Sequence, residues 1–203
     1  MFFSFDGIDG AGKSTQLELF CHWLRELGHD VVSCRDPGST RIGERIRELL
    51  LSIEDQPMDN TTEMLLYMAA RAQLVQEFIR PQLQLGRTVV TDRFLLSNVV
   101  YQGHAGGLDV GSIWQVGDIA TAGLVPDTYF VLDISVDAAM ARIARTPDRM
   151  ERKGAEYFQR VRQGFLDEAS RRPDTIVVVD AERTVDDVQT SIRAAVEQRW
   201  NNP

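Results

Sequence analysis

The chain has 203 residues, of which 43% are hydrophobic and 26% are charged. A chain of this length and composition can bury a sizeable core, so we expect one domain over residues 1–203 that needs no disulfide or structural metal. Its 22 Lys and Arg residues against 30 Asp and Glu give a net charge of −8. This balance argues against a nucleic-acid-binding protein. Because the chain is negative overall, any phosphate-binding site must gather positive residues locally.

The N-terminus and the cysteines indicate a reducing compartment. Residues Met1 to Phe5 are apolar, but Asp6 follows at once and no basic residue precedes them, so we expect no secretory signal. No run of apolar residues comes close to the length of about 18 residues that a membrane-spanning helix needs. Cys21 and Cys34 lack C-x-x-C spacing and are expected to be reduced packing residues. We therefore expect a cytoplasmic protein with no membrane or nucleic-acid partner.

Short apolar runs alternate with longer segments of helical period, which is typical of an α/β fold. Five runs rich in Val, Phe or Thr are predicted to be strands: Phe2–Phe5, Asp30–Cys34, Thr88–Thr91, Thr128–Leu132 and Thr175–Val179. Because these runs mostly lack polar alternation, both faces of the sheet should be covered. Right-handed crossovers then predict a parallel five-stranded sheet flanked by helices.

Apolar residues three or four positions apart predict five helices. Their marker residues are, in chain order, Leu17, Phe20, Leu24 and Leu27, ending at Gly28; Met64, Met68, Ala72, Val75 and Ile79, with Pro81 near the end; Val136, Met140 and Ile143; Tyr157, Val161 and Phe165; and Val185, Val188, Ile192 and Val196. The segment from about Arg145 to Lys153 is basic, contains Pro147 and has little apolar content. We expect it to be a mobile loop.

A glycine-rich motif directly follows the first predicted strand. Residues 7–14, Gly-Ile-Asp-Gly-Ala-Gly-Lys-Ser, match G-x-x-x-x-G-K-[ST] at every fixed position. The glycines let backbone N–H groups turn toward one anion, and the following helix adds the positive end of its dipole. Lys13 would supply charge to the terminal phosphates, and Ser14 would bind Mg²⁺. We therefore predict a P-loop NTPase fold with ATP and Mg²⁺ as cofactors. The predicted cofactor-binding residues are Gly7, Asp9, Gly10, Ala11, Gly12, Lys13, Ser14 and Thr15.

The metal also needs a carboxylate beyond the end of a neighbouring strand, and two residues fit. Asp92 follows the strand at Thr88–Thr91, and Asp133 follows the fourth predicted strand. We favour Asp92 because Arg93 comes next, so one strand end would deliver a carboxylate to the metal and a guanidinium to the phosphates. Asp133 is interpreted as a structural hydrogen-bonding residue.

The remaining motifs distinguish between classes of P-loop protein. A guanine-specific GTPase would carry N-K-x-D, but no asparagine in the chain is followed by lysine. Arginines instead recur at predicted loop positions, namely Arg35, Arg41, Arg71, Arg93 and the cluster within 145–152. Arginine forks bind phosphates well, and a kinase whose acceptor is itself a phosphate must hold two anions close together. The pattern favours such a kinase.

Five sequence blocks carry a resemblance that runs through nearly the whole chain. The blocks are FDGIDGAGKST at 5–15, RDPGST at 35–40, YMAAR at 67–71, DRFLLSNVVYQG at 92–103, and the segment 126–133. In these blocks the sequence resembles bacterial thymidylate kinases, which transfer a phosphoryl group from ATP to dTMP. The block at 92–103 is the most specific, because its spacing separates this family from adenylate and shikimate kinases. The resemblance implies dTDP and ADP as products, a role in dTTP biosynthesis, and a homodimer.

The resemblance also implies substrate contacts. Tyr67 would stack on thymine, and Arg71, one helical turn later, would donate to the carbonyl O4 of the base. Arg93 would clasp the dTMP phosphate. The other implied substrate contacts are Asp9 near the 3′-hydroxyl, Arg35, Pro37, Ser97, Asn98 at the pyrimidine edge, Tyr101 near the sugar 2′ position, and Gln102.

Some kinases of this type place a basic residue inside the P-loop, but the four variable positions of this loop hold none. The charge on the transferring phosphoryl group must therefore come from elsewhere. The basic segment at about 145–153 resembles the short arginine-bearing lid of the family. Arg145 is the preferred contact for the transferring phosphoryl group and Arg149 the second, and together with Lys13 and Arg93 they form the predicted catalytic set.

The sequence departs from the family pattern at a few positions. Asp36 replaces the usual Glu, Ser39 replaces a Gly, Val99 and Val100 stand where alanine is usual, and the lid is one residue short. None of these changes removes a phosphate ligand, although the shorter Asp36 would loosen the acceptor pocket. Two other functions stay open: a deoxynucleoside kinase, whose hydroxyl acceptor needs a carboxylate base, and a non-catalytic nucleotide-binding module.

Overall fold

A five-stranded parallel sheet organises the fold. The computed structural model describes residues 1–52, 58–143, 149–150 and 153–201. The strands are β1 (Phe2–Asp6), β2 (Val31–Arg35), β3 (Thr88–Asp92), β4 (Thr128–Asp133) and β5 (Ile176–Asp180). They lie in the order β2-β3-β1-β4-β5, and every neighbouring pair is parallel. The predicted strands and their parallel arrangement are confirmed, with each end within one residue of the expected position.

Helical segments connect the strands and pack against them. They are α1 (Lys13–Glu26), α2 (Arg41–Leu51), α3 (Asn60–Leu74), a π-helical turn at Val75–Ile79, α4 (Arg80–Gln84), α5 (Leu95–Asn98), a second π-helical turn at Val99–His104, α6 (Val110–Thr121), α7 (Val136–Arg142), α8 (Ala155–Arg171) and α9 (Val185–Asn201). The five predicted helices correspond to α1, the run from α3 to α4, α7, α8 and α9. In the part of the chain that the structure describes, no helix is both long and apolar enough to cross a membrane.

The run from α3 through the first π-helical turn to α4 is continuous, and Pro81 lies inside it. A proline cannot donate the helical hydrogen bond, and its ring crowds the carbonyl group four residues earlier. That carbonyl belongs to Glu77, which lies in the wider π-helical turn. We infer that the wider turn accommodates the proline, so that the helix continues three residues beyond it.

Phenylalanine rings hold the first strand and the first helix together. The ring centroid of Phe20 on α1 lies 5.2 Å from that of Phe3 and 5.5 Å from that of Phe5, both on β1. Phe130 on β4 completes the group, at 5.6 Å from Phe20. Buried aromatic rings contribute large apolar areas to a core. The loop at 7–12 therefore joins two segments whose positions are fixed by the core.

The carboxyl ends of the parallel strands gather charged residues at one edge of the sheet. Asp92 at the end of β3 is in register with Phe5 of β1 and with Arg35 of β2. Ligands of open α/β sheets bind outside the carboxyl ends of the strands. This edge, where the loop at 7–12 also lies, is therefore the expected position of a functional site.

Candidate active site

The glycine loop at 7–12 presents the N-terminus of α1 to this edge of the sheet. Gly10 and Gly12 have φ angles of +83° and +89°, and Gly12 is the N-cap residue of α1. A Cβ atom on Gly10 would lie only 2.2 Å from the carbonyl oxygen of Ala139 on α7, so only glycine fits there. Ser14 and Thr15 are exposed in the first turn of α1. The loop and helix end thus have the form of an anion site.

The side chain of Lys13 folds back over the loop. Its Nζ donates to the carbonyl oxygens of Gly7 at 3.2 Å and Ile8 at 2.8 Å, and lies 3.7 Å from Oδ1 of Asp9. Burial lowers the pKa of Lys13, and the charge of Arg93 lowers it further, whereas nearby carboxylates act in the opposite direction. Two cations therefore lie side by side at the glycine loop.

Arg93 joins the loop to the neighbouring helix. One terminal nitrogen donates to the Gly7 carbonyl oxygen at 2.8 Å and to Oγ of Ser97 at 3.1 Å, and the other donates to Asp9 at 2.6 Å. The guanidinium carbon lies 5.1 Å from the ring centroid of Tyr101. Burial alone would lower the pKa of Arg93, but Tyr101 and the carboxylates around it raise the pKa well above its ordinary value. Arg93 is a permanent cation.

Two clefts meet at these cations. The loop cleft is lined by Asp9, Gly10, Gly12, Lys13, Ser14, Thr15, Arg35, Asp36, Arg47, Asp92, Arg93, Arg142 and Ile143. The inner cleft is lined by Asp9, Asp36, Pro37, Arg47, Leu51, Tyr67, Arg71, Arg93, Ser97, Asn98, Tyr101, Gln102 and Met150. Both linings include Asp9, Asp36, Arg47 and Arg93. Ligands bound in the two clefts would therefore have these four lining residues in common.

A chain of hydrogen bonds runs along the wall of the inner cleft. Arg71 donates from Nε to Oδ2 of Asp36 at 2.6 Å and from a terminal nitrogen to Oδ1 of Asn98 at 3.0 Å. Asn98 donates to Gln102 at 2.6 Å, and Gln102 donates to Glu63 at 2.7 Å. All five side chains are buried. The wall is thus a continuous polar network rather than a set of independent contacts.

The two candidate metal carboxylates have different surroundings. Asp92 lines the loop cleft, and its buried Oδ1 has no hydrogen-bond partner among the residues that the structure describes. Asp133 instead accepts two hydrogen bonds from Arg162, at 2.6 and 2.8 Å. Of the two candidates, Asp92 therefore lines the loop cleft and Asp133 does not, and Asp9 and Asp36 also contribute carboxylates to this lining.

The predicted arginines lie at different places. Arg35 is exposed, lines the loop cleft and pairs with Glu44 at 2.8 Å, whereas the other predicted substrate residues line the inner cleft. Arg149 lies 2.6 Å from a carboxylate oxygen of Glu63 and donates to the Leu50 carbonyl oxygen at 2.7 Å. Arg149 is not among the lining residues of either cleft. Arg145 and most of the predicted lid lie outside the described residues.

Charged residues of the site that were not predicted include Arg47, Arg142 and Glu63 of the polar wall. Arg47 donates to the Pro37 carbonyl oxygen at 3.0 Å and lines both clefts. Arg47 lies one helical turn after Gly43 and one before Leu50, the two buried residues of α2. Helical spacing could therefore have predicted that Arg47 lies on the buried face of this helix. Arg142, at the end of α7, lines the loop cleft.

Comparisons with known proteins give one consistent family. A family model described as thymidylate kinase matches residues 5–192. The thymidylate kinase of Symbiobacterium thermophilum is 46% identical, over 98% of this chain and 93% of that protein. The thymidylate kinase of Rhodopirellula baltica is 42% identical, over 93% of this chain and 77% of that protein.

A solved structure agrees with these relatives. The crystal structure of thymidylate kinase from Ehrlichia chaffeensis matches with a TM-score of 0.78 and 31% sequence identity. The match covers 97% of this chain and 98% of that chain. Since the family model spans most of the sequence and the relatives match over almost its full length, the chain belongs to the thymidylate kinase family.

Proposed function

We propose that the protein transfers the γ-phosphoryl group of ATP to dTMP, giving dTDP and ADP for dTTP biosynthesis. The observation that carries this proposal is the meeting of two clefts at Asp9 and Arg93, one built on a glycine loop and the other on a polar wall. Family membership supports dTMP as the acceptor. We place the whole chain, including the basic segment at 145–153, in one kinase domain that acts in the cytoplasm.

ATP would bind in the loop cleft, where Lys13 and Arg142 provide positive charge beside the N-terminus of α1. A third pocket shares Gly12, Thr15 and Arg142 with this cleft and continues along the start of α9. Part of its lining is apolar, including Val185 and Val188 of α9. We assign the nucleotide base of the donor to this pocket, since a flat base suits a mixed apolar and polar lining.

The residues present also fit a magnesium ion. Ser14 is exposed at the start of α1, and Asp92 lines the same cleft and has a buried Oδ1 with no hydrogen-bond partner among the described residues. Oxygen donors of this kind suit Mg²⁺, which is commonly held by few protein ligands and substrate phosphates. When bound, Mg²⁺ would neutralise charge shared between the β- and γ-phosphates.

The acceptor would occupy the inner cleft. Tyr67, half-buried on α3, would face the pyrimidine ring, and Arg71 would reach its carbonyl edge. Tyr101 is held in place because Tyr157 donates a hydrogen bond to its carbonyl oxygen at 2.8 Å. A buried ring fixed next to Arg93 would leave little room for a 2′-hydroxyl group and would thereby favour deoxyribose.

The reaction would be a direct in-line attack by a phosphate oxygen of dTMP on the γ-phosphorus. A phosphate monoester is already anionic at neutral pH, so the step requires no general base. Lys13 and Arg93 would stabilise the crowded oxygens from the positions they occupy at the junction of the clefts. Arg145 remains our proposed contact for the transferring phosphoryl group, with Arg149 as the second candidate.

The decisive experiment measures ADP release from Mg-ATP with a panel of nucleoside monophosphates and with thymidine. We expect turnover with dTMP that exceeds turnover with every other acceptor. Turnover with thymidine instead of dTMP would indicate a deoxynucleoside kinase. Tight ATP binding without acceptor-dependent ADP release would indicate a nucleotide-binding module, and either result would overturn the proposal.

We further propose that the protein is a homodimer. Helix α3 packs against α6, and each carries a large apolar side chain that is well exposed: Leu65 on α3 exposes 50% of its surface and Ile119 on α6 exposes 79%. Burying such side chains in a second copy would be favourable. Sedimentation equilibrium should give twice the chain mass for the native protein and a lower mass for Ile119→Glu. A wild-type protein that sediments as a monomer at micromolar concentration would contradict this assignment.

A further inference from the structure

We propose that Glu63, which lies outside the predicted substrate contacts, determines which pyrimidine the inner cleft accepts. It would do so without touching the ligand, by fixing the direction in which the amide groups of Gln102 and Asn98 point. Glu63 would therefore be a positioning residue for base specificity. The inference rests on the proposed function only in taking a pyrimidine nucleotide as the ligand of the inner cleft.

The surroundings of Glu63 make it an ionised acceptor. Its side chain on α3 is 1% exposed and accepts from Nε2 of Gln102 at 2.7 Å. Nζ of Lys153 lies 3.2 Å from one carboxylate oxygen, and a guanidinium nitrogen of Arg149 lies 2.6 Å from the other. Burial alone would raise the pKa of Glu63, but Gln102 and the two cations hold the pKa below its ordinary value. An ionised carboxylate can only accept hydrogen bonds.

This carboxylate fixes the direction of the first amide. Because Glu63 can only accept, Gln102 must turn its NH₂ group toward Glu63 and its oxygen toward Asn98. That oxygen then accepts from Nδ2 of Asn98 at 2.6 Å. Gln102 and Asn98 are each only 2% exposed, so water cannot readily replace these partners.

Arg71 fixes the direction of the second amide, that of Asn98, at the other end of this series of hydrogen bonds. Its guanidinium group can only donate, and it contacts Oδ1 of Asn98 at 3.0 Å. The two amides are therefore held between an anion, Glu63, and a cation, Arg71, and both ends require the same amide directions. Turning either amide around would bring two donors or two acceptors together in a buried position, which is costly.

The amide direction matters because thymine and cytosine present opposite patterns at one edge. Thymine has an acceptor at its C4 carbonyl and a donor at N3, whereas cytosine has a donor at its C4 amino group and an acceptor at N3. A freely rotating amide can match either pattern by turning 180°. Arg71, Asn98 and Gln102 line the inner cleft, so fixing their donors and acceptors fixes the edge that the cleft can bind.

The test compares the binding of dTMP and dCMP by titration calorimetry in the absence of ATP. For the wild-type protein we expect tighter binding of dTMP. Glu63→Gln keeps the size of the side chain but can donate as well as accept. We therefore expect the ratio of the Kd for dCMP to the Kd for dTMP to fall by about tenfold, which is the size of effect expected when one hydrogen bond to a charged group is lost. The ratio should fall without inverting, because Arg71 still holds Asn98.

Lys153→Met is the matched control. It removes the more distant of the two cations, while Arg149 at 2.6 Å still keeps the carboxylate charged and Gln102 keeps its hydrogen bond, so the ratio should stay close to the wild-type value. A fall as large as that of Glu63→Gln would mean that Glu63 acts through the basic segment and would overturn the proposal. An unchanged ratio in Glu63→Gln, or no preference for dTMP in the wild-type protein, would overturn it as well.

A double-mutant cycle keeps the test independent of the folding of one variant. Gln102→Met removes the middle of the series of hydrogen bonds between Glu63 and Arg71, so it should lower the ratio by itself. Adding Glu63→Gln to this variant should have little further effect. A wild-type ratio in Gln102→Met would contradict the inference. Because the readout is binding, a protein that discriminates between the bases but transfers no phosphoryl group would refute the proposed function and leave this inference standing.

Discussion

Arg71 and Asp36 form an ion pair in which the two side chains are only 2% and 0% exposed. Nε of Arg71 lies 2.6 Å from Oδ2 of Asp36. The pair connects helix α3 to the turn after β2 that carries Pro37, so two walls of the inner cleft are held together. Burial raises the pKa of Asp36, although the charge of Arg71 acts against this.

Asp36→Ala should therefore destabilise the fold strongly. Removing one partner leaves the charge of Arg71 buried and unpaired, which costs about 3–5 kcal/mol. Asp30→Ala is the matched control, because Asp30 pairs with Arg87 at 2.8 Å with both side chains well exposed, and such pairs contribute at most about 1 kcal/mol. Urea denaturation measures both free energies of unfolding. Equal losses in the two variants would show that the buried pair has no special role.

Arg93→Ala should lower kcat by about 100-fold or more, because the cation shared by the two clefts is lost. Arg162→Ala removes a guanidinium group of similar size that pairs with Asp133 outside both cleft linings, and its kcat should stay close to that of the wild type. Steady-state ADP release measures both values, and circular dichroism checks the fold. Normal turnover in Arg93→Ala would remove Arg93 from the proposed mechanism.

Loss of the proton from Lys13 should make the reaction slower at high pH. Burial lowers the pKa of this ammonium group, so as pH rises it loses its proton below its ordinary value of 10.5. Since only the charged form would bind phosphate, kcat/KM for ATP should fall across that range. Lys13→Arg should lack this limb, because arginine keeps its proton, while Lys13→Ala should be nearly inactive at every pH. An alkaline limb that persists unchanged in Lys13→Arg would assign it to another group.

Asp92→Asn and Asp133→Asn should separate the metal carboxylate from the structural one. Asp92→Asn removes the charge of a carboxylate in the loop cleft, so the Mg²⁺ concentration for half-maximal rate should rise by about tenfold or more. Asp133→Asn weakens the contact with Arg162 and should leave the Mg²⁺ requirement unchanged. A titration of MgCl₂ at fixed ATP decides between them. The reverse outcome would exchange the two roles.

The strands could be predicted from the sequence because continuous apolar runs of this kind occur where a sheet is covered on both faces. Helix α6 could not, since its buried positions are Ile113, Gly117 and Thr121, which share helical spacing but only one large apolar side chain. The segment Leu95–His104 was also missed. It is buried almost throughout, so it shows no alternation between apolar and polar faces. The order of the strands depends on tertiary packing and was not predicted.

The glycine loop was predictable because its chemistry is local to eight consecutive residues. The polar wall was not, because Glu63, Gln102 and Lys153 are far apart in the sequence and meet only through folding. Arg149 illustrates the same limit: its residue type indicates a phosphate contact, which stays a prediction, but its contact with Glu63 could not be predicted from the sequence. Residue type and spacing identify groups that can bind anions, but they do not show which carboxylate a given arginine reaches first.

The contact between Gly10 and Ala139 has a consequence for the engineering of this site. The two main chains touch directly, so no side chain lies between them that substitution could shorten or enlarge. The close approach of these main chains therefore limits how near the loop at 7–12 can lie to α7. Variants that alter nucleotide preference should arise from the surrounding side chains, because any side chain at Gly10 would force the main chain at Ala139 to shift.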